Sequence, residues 1–317
     1  MDLARCFAII GVIEVHTFHW IPGSYGVPLF FVVSGYVLSD SAKSKSKREY
    51  LITRWARLWP MAAIMSAIYF LRFNNILELG LTLALLHIFF LYQQSFPGSW
   101  SISSEWIYAL VNLFLVRLTR NSRFKVFIGL VFFVLLLDLL RHNVEGLEQN
   151  WFYGSLLLIG NTSYFVAGNL LRDQSVTGIP TTVIIGILSP IFFLSINNNV
   201  YDSIYFVAVL LLFIGCLKVR IKPGLLQKSI SYVGKRTYSL FCTHFILISL
   251  SQSLGFYSLE SQTNRMYRIL DFAIIFLLSL SISHFSYKLI ERPSLKLIVR
   301  LFYSNSKRGD INSSQRN

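Results

Sequence analysis

Apolar runs of helix length recur along the whole chain, separated by short polar stretches. They occupy residues 3–20, 25–38, 58–71, 76–92, 102–116, 126–140, 155–171, 180–196, 201–217, 238–254 and 269–289. A helix rises about 1.5 Å per residue, and a bilayer core needs roughly 20 apolar residues to be crossed. Eleven such runs predict an all-α fold, a polytopic membrane helical bundle.

The polar stretches between the runs set the orientation. Segments 39–57, 117–125, 172–179, 218–236 and 288–308 hold 23 of the 29 Lys and Arg residues. By the positive-inside rule these loops are cytoplasmic, whereas 93–101, 141–154, 196–203 and 254–268 face outward. Two apolar runs then separate an inner loop from an outer one, so one of the two does not span. Run 58–71 is short, with Pro60 near its start and Arg72 just beyond it, and is expected as a broken or interfacial segment. The prediction is about ten transmembrane helices plus that segment, with both ends in the cytoplasm. Residues 1–303 form the membrane domain, and 304–317 form a polar tail expected to be disordered.

Composition agrees with this class. The 317 residues are 54% hydrophobic and 14% charged, far from a soluble domain. The net charge of +14 raises the question of nucleic acid. Its confinement to loops between apolar runs excludes that partner and points to membrane lipids. Glu14, His16 and His19 interrupt the first run, and no small-residue cleavage site follows it, so no cleavable signal is expected. Cys6, Cys216 and Cys242 are odd in number and lie in or beside apolar runs, which argues against a disulfide framework. No internal repeat of the kind found in secondary transporters is visible. There is no phosphate-binding glycine loop, no nucleophile elbow and no metal-ligand spacing, so no metal is expected.

Candidate chemistry lies where ionisable or small polar residues enter the apolar runs. Arg5 and His16 are eleven residues apart, close to three helical turns, on one face and roughly 16 Å apart along the axis. With Arg5 at the cytoplasmic surface, His16 falls at mid-bilayer, where ionisable groups mark substrate or proton paths. A histidine hydrogen-bonded between packed helices is the plain alternative. Ser34 and Gly35 sit in a Phe- and Val-rich run, where small residues permit close helix approach. Arg54 and Arg57, three residues apart on one helix face, form either a phosphate clamp or a pair of lipid-headgroup anchors. Ser101 and Glu105 share a face at the start of run 102–116. The carboxylate there can orient a histidine or bind sugar hydroxyls, while Ser99 or Ser101 serves as an N-cap. His244, in the aromatic run 238–254, and the Glu291-Arg292 pair read as structural support.

Six short motifs in order make the chain resemble the acyltransferase 3 family of integral membrane acyltransferases, over nearly all of residues 2–293. Arg5 to His16 resembles that family's arginine, ten residues, histidine signature. Phe30 to Gly35 resembles its Phe-Phe-x-x-Ser-Gly, and Arg54 to Arg57 its Arg-x-x-Arg. Trp100 to Trp106 resembles its Trp-Ser-Leu-Ser-Val-Glu-Glu, with Trp106 in place of the second acid. Tyr238 to His244 resembles its Tyr-Ser-Leu-Tyr-Leu-Trp-His, with Thr243 before the histidine. Glu291 to Pro293 is its terminal Glu-Arg-Pro. Ending soon after that motif, the chain is expected to lack the extracytoplasmic hydrolase-like domain of some relatives.

The resemblance implies a multi-pass protein of the cell inner (plasma) membrane that moves an acyl group, acetyl above all, from cytoplasmic acyl-CoA to a hydroxyl. The acceptor is a cell-surface or envelope glycan, or a lipid-linked sugar. In that frame Arg54, Arg57 and Ser34 belong to the acyl-CoA (acetyl-CoA) site. His16 is a general base or transient acyl carrier, Arg5 positions donor or acceptor, and Glu105 fixes the histidine tautomer or the sugar. Two rivals remain: a proton-coupled transporter of a glycan or small solute, and a non-catalytic partner in envelope assembly.

Overall fold

The computed structural model describes residues 1–17, 25–73, 76–86, 98–143, 150–172, 200–253 and 265–302. Every described element is helical. In chain order these are α1 (Asp2–Thr17), α2 (Gly26–Ser44), α3 (Lys47–Phe73), α4 (Ile76–Leu83) and α5 (Ser99–Leu115). They continue with α6 (Arg120–Asn143), α7 (Asn150–Arg172), α8 (Val200–Lys218), α9 (Leu225–Ser253) and α10 (Arg265–Ser286). His19, the run at 180–196 and the tail 304–317 lie outside the described residues.

Beyond α10 the chain makes a π turn at Tyr287–Glu291 and stays helical, so that Met266–Phe302 is one rod of 37 residues. Its most apolar stretch has a mean hydropathy of 1.9 and is only 22% buried. Leu277, Leu289 and Leu297 are 60%, 68% and 59% exposed, an apolar face of the kind covered by lipid or by another protein. Among the described residues this is the one helix long and apolar enough to cross a membrane.

The expected break is in the wrong place. Run 58–71 is the C-terminal part of α3, a continuous helix of 27 residues with Pro60 inside it, about 40 Å long. Proline removes the N–H that would bond the Ala56 carbonyl, yet the helix is held on both sides of it. The Tyr238 hydroxyl of α9 donates to the Leu58 carbonyl, and Met61 and Ala62 pack in the core. The interruption falls instead in run 76–92. There α4 has only eight residues and ends in a turn, with Leu85 in the left-handed region at φ 56°. Trp59 of α3 donates its indole N–H to the Leu83 carbonyl, 3.1 Å away, closing the end of α4. Segments 39–57 and 218–236 are likewise largely helical rather than loops: α2 and α3 are joined by two residues, and α9 begins at Leu225.

Two packed groups of side chains make up the core. One unites Ala4 and Ala8 of α1 with Leu29, Val32 and Phe165, drawing on α2, α5, α6, α7 and α8. The other unites Ile9 and Ile13 of α1 with Met61, Leu240 and Phe245, drawing on α3, α5, α9 and α10. Within the first, α2 and α7 cross at backbone contact. A Cβ on Gly35 would lie 1.9 Å from the Phe165 carbonyl oxygen, and one on Gly168 would lie 2.1 Å from that of Val32. The close approach expected at Gly35 is thus a reciprocal glycine crossing. It fixes the face of α2 that carries Ser34.

Candidate active site

A cavity of about 470 Å³ lies between the two packed groups, walled by α1, α2, α3, α5, α9 and the helical segment after the π turn. On α2 its lining runs from Val27 to the Lys45 position just past the helix end, about 27 Å of axis. Five basic side chains (Arg5, Lys45, Arg54, Arg57 and Lys296) line it, with Glu105 as the one lining carboxylate. Val27, Phe30, Phe31, Ile102 and Phe241 line it on one side of the arginines, and Val37, Leu38, Leu295 and Val299 line it on the helix stretches that carry Lys45 and Lys296. Such a hollow suits an elongated ligand that is anionic at one end and apolar at the other.

Arg5, Ser34, Arg54, Arg57 and Glu105, from four helices, all line this one cavity. Their arrangement differs from the sequence expectation in two respects. First, Glu105 does not turn to a histidine. Its Oε1 accepts from Ser34 Oγ at 2.8 Å and its Oε2 from Arg54 Nη2 at 2.7 Å. Secondly, Arg54 is not a headgroup anchor, being 8% exposed and ion-paired inside the bundle. Its Nε finds no hydrogen-bond acceptor among the described residues. Arg5 is held by Asp2 at 3.1 Å and lies within the electrostatic reach of Arg57 and Arg54. Asp2 and Glu105 pair with Arg5 and Arg54, and Glu291 lies in the field of Arg57, so the positive excess of the lining comes from Lys45 and Lys296 beside these guanidiniums; an anion in such a partly desolvated space gains more than it would in water.

The serines at the start of α5 follow from its local sequence. Gly98 is the N-cap residue, at φ 84°, with no side-chain cap. Ser101 Oγ donates to the Gly98 carbonyl at 2.8 Å, and Ser104 Oγ to the Trp100 carbonyl at 2.9 Å. Neither Ser99 nor Ser101 caps the helix. The hydroxyls bond back to their own helix and leave Glu105 as the polar group that reaches across.

His16 stands apart from the cavity lining. It lies on α1 three turns beyond Arg5, exposed on one side, with its ring centroid 5.7 Å from that of His244 and 4.9 Å from that of Phe245. His244 is fully buried. Its Nδ1 lies 3.3 Å from the Leu240 carbonyl, which can only accept, so Nδ1 carries the proton and Nε2 keeps a lone pair. That Nε2 has no hydrogen-bond partner among the described residues, which is costly for a buried nitrogen. Phe241 bridges the two regions: it lines the cavity, and its ring centroid is 5.7 Å from that of His244.

Some of the surroundings gave little or no signal in the sequence. Glu291 is not half of a surface pair. The π turn brings it inward to 5% exposure, where Ser239 Oγ donates to its Oε2 at 2.7 Å and the field of Arg57 reaches it. Arg292 stays exposed. Tyr50 of the cavity wall receives a hydrogen bond from Asn112 Nδ2 at 3.2 Å. Asn112 in turn accepts from Asn169, and Asn169 from Arg123, in a buried chain of amides. Among the described residues no three His, Cys, Asp or Glu side chains gather as metal ligands.

Comparison with known proteins places this geometry in context. The family described as "Acyltransferase domain", acyltransferase 3, matches residues 1–284. The O-acetyltransferase OatA of Staphylococcus aureus (strain NCTC 8325 / PS 47) is 26% identical over 93% of this chain, as is the OatA of Staphylococcus aureus (strain COL). The chain spans 57% of the length of these relatives. No solved structure matches it.

Proposed function

Because the chain belongs to the acyltransferase 3 family, and is thereby an acyltransferase, we propose that it is a multi-pass inner (plasma) membrane O-acetyltransferase. In this reading the acyl group comes from cytoplasmic acyl-CoA, acetyl-CoA above all. It goes to a hydroxyl of an envelope glycan or a lipid-linked sugar. The observation that carries the reading is the convergence of Arg5, Arg54, Arg57, Ser34 and Glu105 on one elongated basic cavity.

Ten crossings fit the charge distribution once α3 is taken as the span and the interrupted α4 segment as the partial one. The cavity then runs from a basic mouth at Lys45 and Lys296 toward the outer half of the bundle. Arg57 and Arg5, with the two lysines, hold the phosphates of the donor. Glu105 and Ser34 keep Arg54 in place, so that its guanidinium presents a fixed charge to the donor. His16 takes the proton from the acceptor hydroxyl as the oxygen attacks the thioester carbon. As the new C–O ester bond forms and the C–S bond breaks, His16 returns that proton to the departing sulfur. Arg5 holds the donor from the same helix that carries His16.

Purified protein in lipid vesicles, given labelled acetyl-CoA and a soluble oligosaccharide, is expected to release free CoA thiol and label the sugar. Surface glycans from cells with and without the gene should differ by the mass of one acyl group per modified residue. His16→Ala is expected to cut turnover at least 100-fold, the scale of a lost general base, with an unchanged melting temperature. Arg57→Gln should raise the KM for acetyl-CoA about tenfold, consistent with one lost charged contact. A folded His16→Ala protein with full turnover refutes the catalytic assignment. Solute flux without thioester consumption would replace it with transport.

A further inference from the structure

The wall that separates the basic cavity from the two histidines is aromatic. Phe241, 7% exposed, lines the cavity on one side. On the other it packs edge-on against His244 and Phe245, each with ring centroids 5.7 Å away. Phe30 meets it from α2, edge-on at 6.3 Å, so the partition is shared between two helices. Space for it is set by Gly98. A Cβ there would lie 2.5 Å from the Phe245 ring and 3.0 Å from that of Phe241, and φ of 84° disfavours any other residue.

Phosphates bound among Arg5, Arg57, Lys45 and Lys296 leave the apolar part of the cavity for the thioester end of the donor. That part closes on Phe30 and Phe241. A donor held this way brings its acyl group against the Phe241 ring, with His16 beyond it against Phe245 and His244. We infer that Phe241 is a specificity-determining residue that limits the length of the transferred acyl group. The inference rests on the acyltransferase reading above. A short acyl group fits in front of the ring and keeps its carbonyl carbon at the ring's edge, past which an acceptor oxygen bound to His16 can reach it. A longer tail needs the volume the ring occupies. The reaction is otherwise unaltered: the hydroxyl proton ends on the CoA sulfur, and the acyl C–S bond is exchanged for C–O.

The test compares acetyl-CoA with hexanoyl-CoA as donors for the full chain in lipid vesicles, following thiol release with a soluble oligosaccharide as acceptor. Wild type should favour acetyl-CoA. Phe241→Ala should raise the hexanoyl-to-acetyl ratio of kcat/KM at least tenfold, the discrimination that one or more methylenes carry in an apolar pocket. Phe241→Leu, which keeps most of the packing, should shift the ratio in the same direction by a smaller factor and decides the matter should the alanine variant not fold. Wild-type ratios in a folded variant overturn the role of Phe241 while leaving the acyltransferase reading intact. Absence of thiol release from both donors with wild type overturns that reading, and this inference with it.

Discussion

At the scale of single residues, the Arg54–Glu105 pair shows how a costly group is accommodated. A carboxylate one or two turns inside an apolar helix is expensive unless paired and hydrogen-bonded. Here both oxygens are engaged, one by a guanidinium and one by a hydroxyl. Removing the carboxylate leaves Arg54 buried and uncompensated, so Glu105→Ala is expected to destabilise the protein by about 3 kcal/mol. Glu105→Gln keeps an acceptor for Arg54 and should cost about half of that. A double-mutant cycle with Arg54→Gln, read from melting temperatures in detergent, should return a coupling above about 1 kcal/mol; strict additivity would mean the pair is incidental. The sequence placed Glu105 on the correct face beside Ser101 and offered it a histidine or a sugar, whereas in the structure Arg54 and Ser34 hold it. Pairing across helices depends on which faces meet, and spacing within one helix carries no such information. For a similar reason nothing local reveals that the Nε2 of His244 finds no acceptor or donor among the described residues, because that depends on Phe241, Phe245 and His16 packing around it.

At the scale of elements, the helices were largely legible, but their interruptions were not. Apolar periodicity located nearly every described helix, because each carries apolar side chains over its middle. Pro60 looked like the breaker, yet α3 continues through it, held by the Tyr238 hydroxyl on the Leu58 carbonyl and by the burial of Met61 and Ala62. The actual turn sits at Leu85, a residue with no turn propensity. Its left-handed backbone is sustained by a side chain that is 1% exposed, so tertiary burial outweighs local preference. Gly35, by contrast, was legible as a packing residue, and its crossing with Gly168 gives an element-level prediction. Alanine at either position gains up to about 1 kcal/mol of helix propensity. It also drives a methyl group into a facing carbonyl, an overpacking cost of about 1–3 kcal/mol that α2 and α7 can relieve only by separating. Gly35→Ala should therefore lower the melting temperature and, by displacing Ser34 from Glu105, also lower turnover. A melting temperature equal to wild type would show that the crossing is compliant.

At the scale of the whole molecule, charge and apolar surface jointly define an orientation that can be measured. The ends of α2, α3, α7, α8 and α9 that the charge pattern assigns to the cytoplasmic side carry Lys43, Lys47, Arg172, Lys218 and Lys228. Arg172 there donates to Asp40 and Tyr36, contacts that hold its guanidinium even more firmly protonated than usual. That pair is exposed and contributes little to stability, so its side of the membrane can be probed by substitution without unfolding the protein. The three native cysteines are buried and should stay silent toward a membrane-impermeant thiol reagent. Single cysteines at Lys228 and Lys296 are expected to react only when the cytoplasmic face is opened, and one at Ser253 from outside intact cells. This pattern makes α9 a complete crossing of its 29 residues and puts the Lys45–Lys296 mouth where acyl-CoA is found. Were the Lys296 cysteine to react from outside, the basic cavity would open away from the cytoplasm. The donor would then have to come from another compartment, and the roles given to Arg5 and Arg57 would fall with it.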